Sequence, residues 1–229
     1  RTIPVLKDFT DDMAEVCPNA YFLNYTNPMA QLAGYLGRYT PIKSVGLCHS
    51  VQGCSRNLLK DLGIEYKEPL RESIAGINHM GWLLELEDAD GNDLYPEIRK
   101  RAIAILESGK TDHHDLVRYE YIRRLGYYCT ESSEHNAEYN NFFIKAKYPE
   151  LIERYNIPLD EYPRRCINQI ENWKKDREKY MHDDVTHTRT TEYASYIMEA
   201  IVTDIPYKIG GNVINNGLIP NLPAEACVE

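Results

Sequence analysis

Two short apolar runs, each feeding straight into a helical pattern, limit what this chain can fold into. Ala20-Tyr21-Phe22-Leu23-Asn24-Tyr25 reads as a buried strand. Thr26-Asn27-Pro28 then opens a helix, with Asn27 at the N-cap and Pro28 at the first helical position. Met29, Leu32, Ala33 and Leu36 continue it at helical spacing. The run from Ser44 to His49 is a second buried strand, followed by a helix through Leu58, Leu59 and Leu62 that stops at Gly63. A helix with Val5, Leu6, Phe9, Met13 and Val16 on one side precedes both. Helix, strand, helix, strand, helix is the rhythm of a parallel α/β sheet.

The pattern then changes. Strands are expected from Ser73 to Asn78 and from Trp82 to Leu86, turning through Asp90-Gly91-Asn92, with helices at 96–108, 115–125, 132–147, 167–180 and 190–203. Tyr207 to Asn216 reads as a late strand ending in an Asn-Asn-Gly turn. The fold class is therefore α/β: residues 1–50 as the second half of a Rossmann-like domain, and 51–229 as an α+β substrate domain. Neither an internal repeat nor a low-complexity linker separates them.

Charge narrows the function. A net charge of −9 opposes general nucleic-acid binding, which needs clustered Lys and Arg to neutralise phosphates. The apolar stretches are far too short for a membrane span, and Arg1-Thr2-Ile3-Pro4 lacks the pattern of a signal peptide. Six scattered cysteines with no CxxC pair read as free thiols of a cytoplasmic protein. The chain opens inside a helix without an initiator Met, so it reads as a fragment of a longer protein.

Cys48 and His79 are the leading candidates for chemistry. Both stand at the C-terminal ends of expected strands, where open α/β sheets place ligands. Thiolate and neutral imidazole suit a borderline divalent metal, and two protein ligands leave positions open for substrate oxygens. Other groups compete: His135 with Glu138 three residues on, His182 and His187 around Asp183-Asp184, and the His113-His114 pair at a helix start. Asn27 offers an amide donor and acceptor at the sheet edge, where a nicotinamide or sugar hydroxyl fits. The polar run Thr130 to Asn136 reads as a helix start, with Ser132 or Ser133 at the cap and acids in the first turn.

The strings NYTNPMA (24–30), GLCHSVQG (46–53), GINHMGW (76–82), TESSEHNAEY (130–139) and NVINNGLIPNLPAEA (212–226), in this order, resemble glycoside hydrolase family 4. The CHS form at 48–50 resembles its α-galactosidase and α-glucosidase branch, not its phospho-glycosidases. The resemblance implies a fold of the lactate/malate dehydrogenase-like superfamily and dependence on NAD and a divalent metal, commonly Mn²⁺. It implies an α-galactoside as substrate and a homodimer or homotetramer. It also implies a route outside the two-carboxylate scheme: hydride removal at C3, proton abstraction at C2 beside the metal, elimination, water addition and hydride return. Matched motif by motif, Cys48 and His79 take the place of the metal ligands, and Asn27 that of a substrate- and cofactor-contacting residue, with Asn78 beside it for substrate. His49 stands where relatives carry a general acid. Tyr128 is the expected C2 base, with Tyr127 and Glu134 behind it. The family's Gly-rich NAD turn does not occur in these residues and is expected upstream of Arg1.

Two other classes remain open on the residues. The strand followed by Asn-Pro is similar to 2-hydroxyacid dehydrogenases, which need no metal. A sugar-binding module without chemistry is the third reading. Within the family, glucosides and uronic acids compete with galactosides.

Overall fold

The computed structural model describes residues 1–183, 188–190 and 192–229. The two apolar runs pair in parallel: β1 (Tyr21–Asn24) lies beside β2 (Lys43–Gly46), from Tyr21–Lys43 to Asn24–Gly46. Parallel strands need a crossover, and α2 (Met29–Tyr39) supplies it. Its buried Leu32 and Leu36 pack with Leu6 of α1 (Thr2–Val16). The apolar side of α1 is only partly used, since Leu6 and Thr10 are buried while Val5, Phe9 and Val16 are exposed.

α3 (Cys54–Asp61) turns to a different core. Leu58 and Leu59 are fully buried against Leu83 and Leu86 of β4 (Met80–Glu87), Ile98 of α4 (Tyr95–Glu107), and Tyr119 and Ile122 of α5 (Leu116–Leu125). β3 (Arg71–Ile77) and β4 form an antiparallel hairpin in which Ile77 pairs with Met80, so Asn78 and His79 are its two turn residues. β5 (Tyr128–Cys129) adds a third strand through Trp82–Cys129 and Leu83–Tyr128.

A C-terminal segment stitches the two sheets together. β6 (Val213–Ile214) pairs with β7 (Cys227–Val228). Just before β6, Asn212 exchanges both backbone hydrogen bonds with Gly46 at the end of β2. Just after β7, Glu229 does the same with Gly76 of β3. Gly46 is needed at its crossing, because a Cβ there would lie 2.5 Å from Met29 Sδ and 2.8 Å from Asn212 Cβ.

Several expectations are corrected. Asn27 is not the N-cap of α2; Pro28 holds that position with extended backbone, and Asn27 is exposed before it. The helix expected over 132–147 is only α6 (Ser133–Glu138). Asn140 folds its side chain back onto the Asn136 carbonyl at 2.5 Å and accepts from Phe142 N–H at 2.8 Å, a local alternative to helical bonding. The strand expected over 207–216 survives only as β6, since Gly210 and Gly211 pass too close to Val51 and Val45 for side chains of their own. α8 (Glu161–His182) runs longer than expected and buries none of its residues. α7 (Glu150–Arg154) was not anticipated, and the last helix is α9 (Ala194–Thr203).

Candidate metal and sugar site

Cys48 and His79 come from different sheets and meet. Cys48 follows β2 by two residues, and His79 is the second residue of the β3–β4 turn. Cys48 Sγ lies 3.5 Å from His79 Nε2. Two ligands bound to one ion at roughly 2.3 and 2.0 Å stand about 3.5 Å apart at a tetrahedral angle, so the pair has the span of a shared metal site. His79 has φ +110°, a conformation that favours glycine at this turn position, and a non-glycine residue held there costs about 1–3 kcal/mol.

The surroundings set the orientation and charge of the pair. Tyr139 OH lies 3.0 Å from His79 Nδ1, and its ring stacks on the imidazole, leaving Nε2 to face Cys48. Glu131 Oε2 lies 3.4 Å from the same Nε2, and Glu131 Oε1 lies 3.5 Å from His135 Nδ1. Burial alone would raise the Cys48 thiol, but hydrogen bonds with His79 and then Ser50 bring it below the ordinary thiol range. The bond with Cys48 lifts His79 above the ordinary imidazole range against burial, aided by the Glu131 charge.

A metal needs the thiolate and the neutral ring, so each ion bound should expel about one proton. Because His79 is held high, competition from that proton extends above the usual imidazole range. Mn²⁺ affinity should therefore climb with pH through that window and then level off. Titrations between about pH 6 and 9 check this, and a flat profile contradicts it.

His49 lies on the rim, exposed, with Nε2 2.8 and 3.0 Å from the two Glu192 oxygens and its ring stacked on Tyr25. Tyr193, next to Glu192, is buried and donates its hydroxyl to the Cys48 carbonyl at 3.0 Å. Asn78 is already engaged: its Nδ2 donates to Glu229 Oε1 at 3.2 Å. Asn27 stays exposed beyond the end of β1.

Tyr128 is not brought to the pair. It is 1% exposed in the core with Leu83. Its hydroxyl donates to Asp115 Oδ2 at 2.7 Å, and the Arg118 guanidinium lies 4.3 Å from its ring centre. Burial, then the Asp115 charge, pushes this phenol well above its ordinary range, the wrong direction for a base. Tyr127 packs edge-on against Tyr95, and Glu134 pairs with Arg165.

The competing histidines resolve elsewhere. His135 faces Ser132 and Glu131. His113 and His114 stack ahead of α5, and His182 pairs with Glu178. Asp184 and His187 lie outside the described residues. Asp61, His114 and Asp115 also gather ligand-type atoms within 4.8 Å, but Asp115 is committed to Tyr128, Ser133 and Arg118. A cavity of about 400 Å³ opens elsewhere, among Glu120, Tyr121, Arg124, Phe142, Phe143 and Tyr155, and none of the groups around Cys48 line it. Sequence reasoning missed Glu131, Tyr139 and Glu229. Glu131 and Tyr139 left a local signal, four residues to either side of His135.

A parallel β1–β2 pair, an antiparallel β3–β4–β5 sheet and a Cys–His pair where the two meet define an α/β protein with a candidate metal site. The chain belongs to family 4 of the glycosyl hydrolases. Residues 1–64 match the Family 4 glycosyl hydrolase model, and residues 74–229 match that of the Family 4 glycosyl hydrolase C-terminal domain. An α-galactosidase of Bacillus subtilis (strain 168) is 59% identical over 100% of this chain and 52% of its own length. An α-galactosidase of Rhizobium meliloti (strain 1021) is 32% identical over 100% of this chain and 48% of its own. The chain thus spans about half the length of these relatives. A 6-phospho-α-glucosidase from gut microorganisms, solved in complex with NAD and Mn²⁺, shares the fold with a TM-score of 0.66 and 22% identity, over 97% of this chain and 53% of that one. Among the described residues, no helix is long and apolar enough to cross a membrane.

Proposed function

We propose that the whole protein is an NAD- and Mn²⁺-dependent α-galactosidase to which this chain contributes the metal- and sugar-facing part. The Cys48–His79 pair carries the reading. Its donor set, thiolate plus imidazole, fits a divalent ion, and its two-ligand count leaves room for sugar oxygens. The 59% identity to an α-galactosidase supports the choice of sugar. In this reading residues 1–50 complete the nucleotide-binding domain and 51–229 form the substrate domain.

When bound, NAD would supply a hydride acceptor and donor for C3, and a divalent ion held by Cys48 and His79 would supply the positive charge that makes the C2 proton more acidic. The chain's own groups do the rest. Cys48 and His79 hold the ion, and Tyr139 fixes the imidazole through Nδ1. Glu131 is assigned as the C2 base in place of Tyr128, because its carboxylate lies 3.4 Å from His79 Nε2 and so faces the pair. His49, oriented by Glu192 and Tyr25, delivers a proton to the departing glycosidic oxygen. Asn27 is free at the sheet edge to meet nicotinamide or sugar. Six free cysteines support a cytoplasmic location. The exposed Tyr162, Ile170, Trp173 and Tyr180 of α8 support a homodimer or homotetramer.

The test uses the full-length protein with NAD⁺, Mn²⁺ and an aryl α-galactoside. Phenol should be released without net accumulation of NADH, and chelation should stop turnover. NADH formed in proportion to substrate would instead indicate a dehydrogenase.

A further inference from the structure

The two proposed metal ligands sit on separate sheets, so something must hold the sheets in register if the 3.5 Å approach is to persist. Hydrogen bonds trace that link to one residue. Glu229 exchanges backbone bonds with Gly76, N to O at 2.9 Å in each direction, three residues before His79. Its Oε1 accepts from Asn78 Nδ2 at 3.2 Å, at the first position of the turn that carries His79. The same Oε1 accepts from Asn212 Nδ2 at 2.8 Å. Asn212 is buried, and its backbone is bonded in both directions to Gly46, two residues before Cys48. One carboxyl oxygen therefore joins the Cys48 segment, through Asn212, to the His79 turn, through Asn78.

Two further observations mark the arrangement as built for position. The strained φ of His79 persists only if its surroundings hold the turn, and the Asn78 side chain is the turn's anchor to Glu229. Glu229 Oε2 is buried and meets no hydrogen-bond donor among the described residues. A carboxylate half exposed to that cost needs a compensating role for its other oxygen.

We propose that Glu229 is a positioning residue for the Cys48–His79 pair, tying the strand end that delivers the thiol to the hairpin turn that delivers the imidazole. The inference rests on the reading of that pair as a metal site. Its operative feature is an acceptor oxygen shared by two amides, not a negative charge. Glutamine keeps such an oxygen and places an amide where Oε2 was.

The experiment is Mn²⁺ binding to the full-length protein, with Co²⁺ as a second probe whose thiolate charge-transfer band reports the Cys48 bond directly. Glu229→Ala should weaken Mn²⁺ by about 10–100-fold and diminish the cobalt band, the usual scale for a group that orients a ligand. Glu229→Gln should stay within a few-fold of the parent. Asn78→Ala removes only the turn-side arm, leaving the backbone pairing intact, and should weaken binding in the same direction. Combined with Glu229→Ala, it should add little. Parent-like binding by Glu229→Ala and Asn78→Ala, while Cys48→Ser loses the ion, overturns the positioning role alone. Glutamine as weak as alanine overturns it too. Parent-like binding by Cys48→Ser removes the metal reading itself.

Discussion

Cys48→Ser in the full-length protein should abolish measurable Mn²⁺ binding at stoichiometric concentrations and lower turnover by about 10³-fold or more. The substitution changes one atom. A serine hydroxyl is not ionised near neutrality, so one of the two proposed protein ligands is lost, whereas the bond with His79 lowers the Cys48 thiol. Charge stabilisation by a catalytic metal is worth several kcal/mol, and each 1.4 kcal/mol is a factor of ten in rate. The fold should survive, because Ser50 Oγ, 3.3 Å from the sulfur, gives a new hydroxyl a partner. Metal content, turnover and thermal unfolding measured on one preparation separate these effects. Parent-like metal content and rate in a folded variant would remove Cys48 from the site.

The sequence made some of this visible and hid the rest for physical reasons. β1, α2 and β2 were legible because each is a local apolar pattern, and Cys48 because it follows a strand end at the head of an α/β sheet. His79 was legible as the end of a strand, but not as a residue with positive φ in a two-residue turn, since the chemistry of such turns points to glycine. The link through Glu229 was hidden because its partners, Gly76, Asn78 and Asn212, lie up to about 150 residues away, and no local periodicity encodes that distance. Tyr128 faces away from the pair for a simpler reason. Successive strand residues face opposite sides of a sheet. The pairing of Leu83 with Tyr128 turns that ring into the core, while Cys129, one residue on, lies 4.0 Å from the His79 carbonyl. Glu131 lies on the side that reaches His79.

Glu131→Gln should therefore cut turnover by about 10²–10⁴, the usual worth of a positioned general base, and should cut exchange of the C2 proton in deuterated water with it. An ordinary glycosidase passing through an oxocarbenium ion leaves that C–H bond untouched, so deuterium at C2 in the parent enzyme is the first requirement. Mn²⁺ affinity in Glu131→Gln should change little, because a base acts on the sugar and not on the ion. A large fall in affinity alongside the rate would make Glu131 a metal ligand and sink its assignment as base. Tyr128→Phe supplies the contrast. It removes the hydroxyl that donates to buried Asp115 Oδ2, and a buried carboxylate oxygen left without its donor costs about 1–3 kcal/mol. That variant should unfold at a lower temperature while its C2 exchange, normalised to folded enzyme, stays near the parent's. If Tyr128→Phe instead remained stable and lost C2 exchange, while Glu131→Gln kept it, the phenol would be the base despite its burial. The core described around β5 would then have to open during turnover.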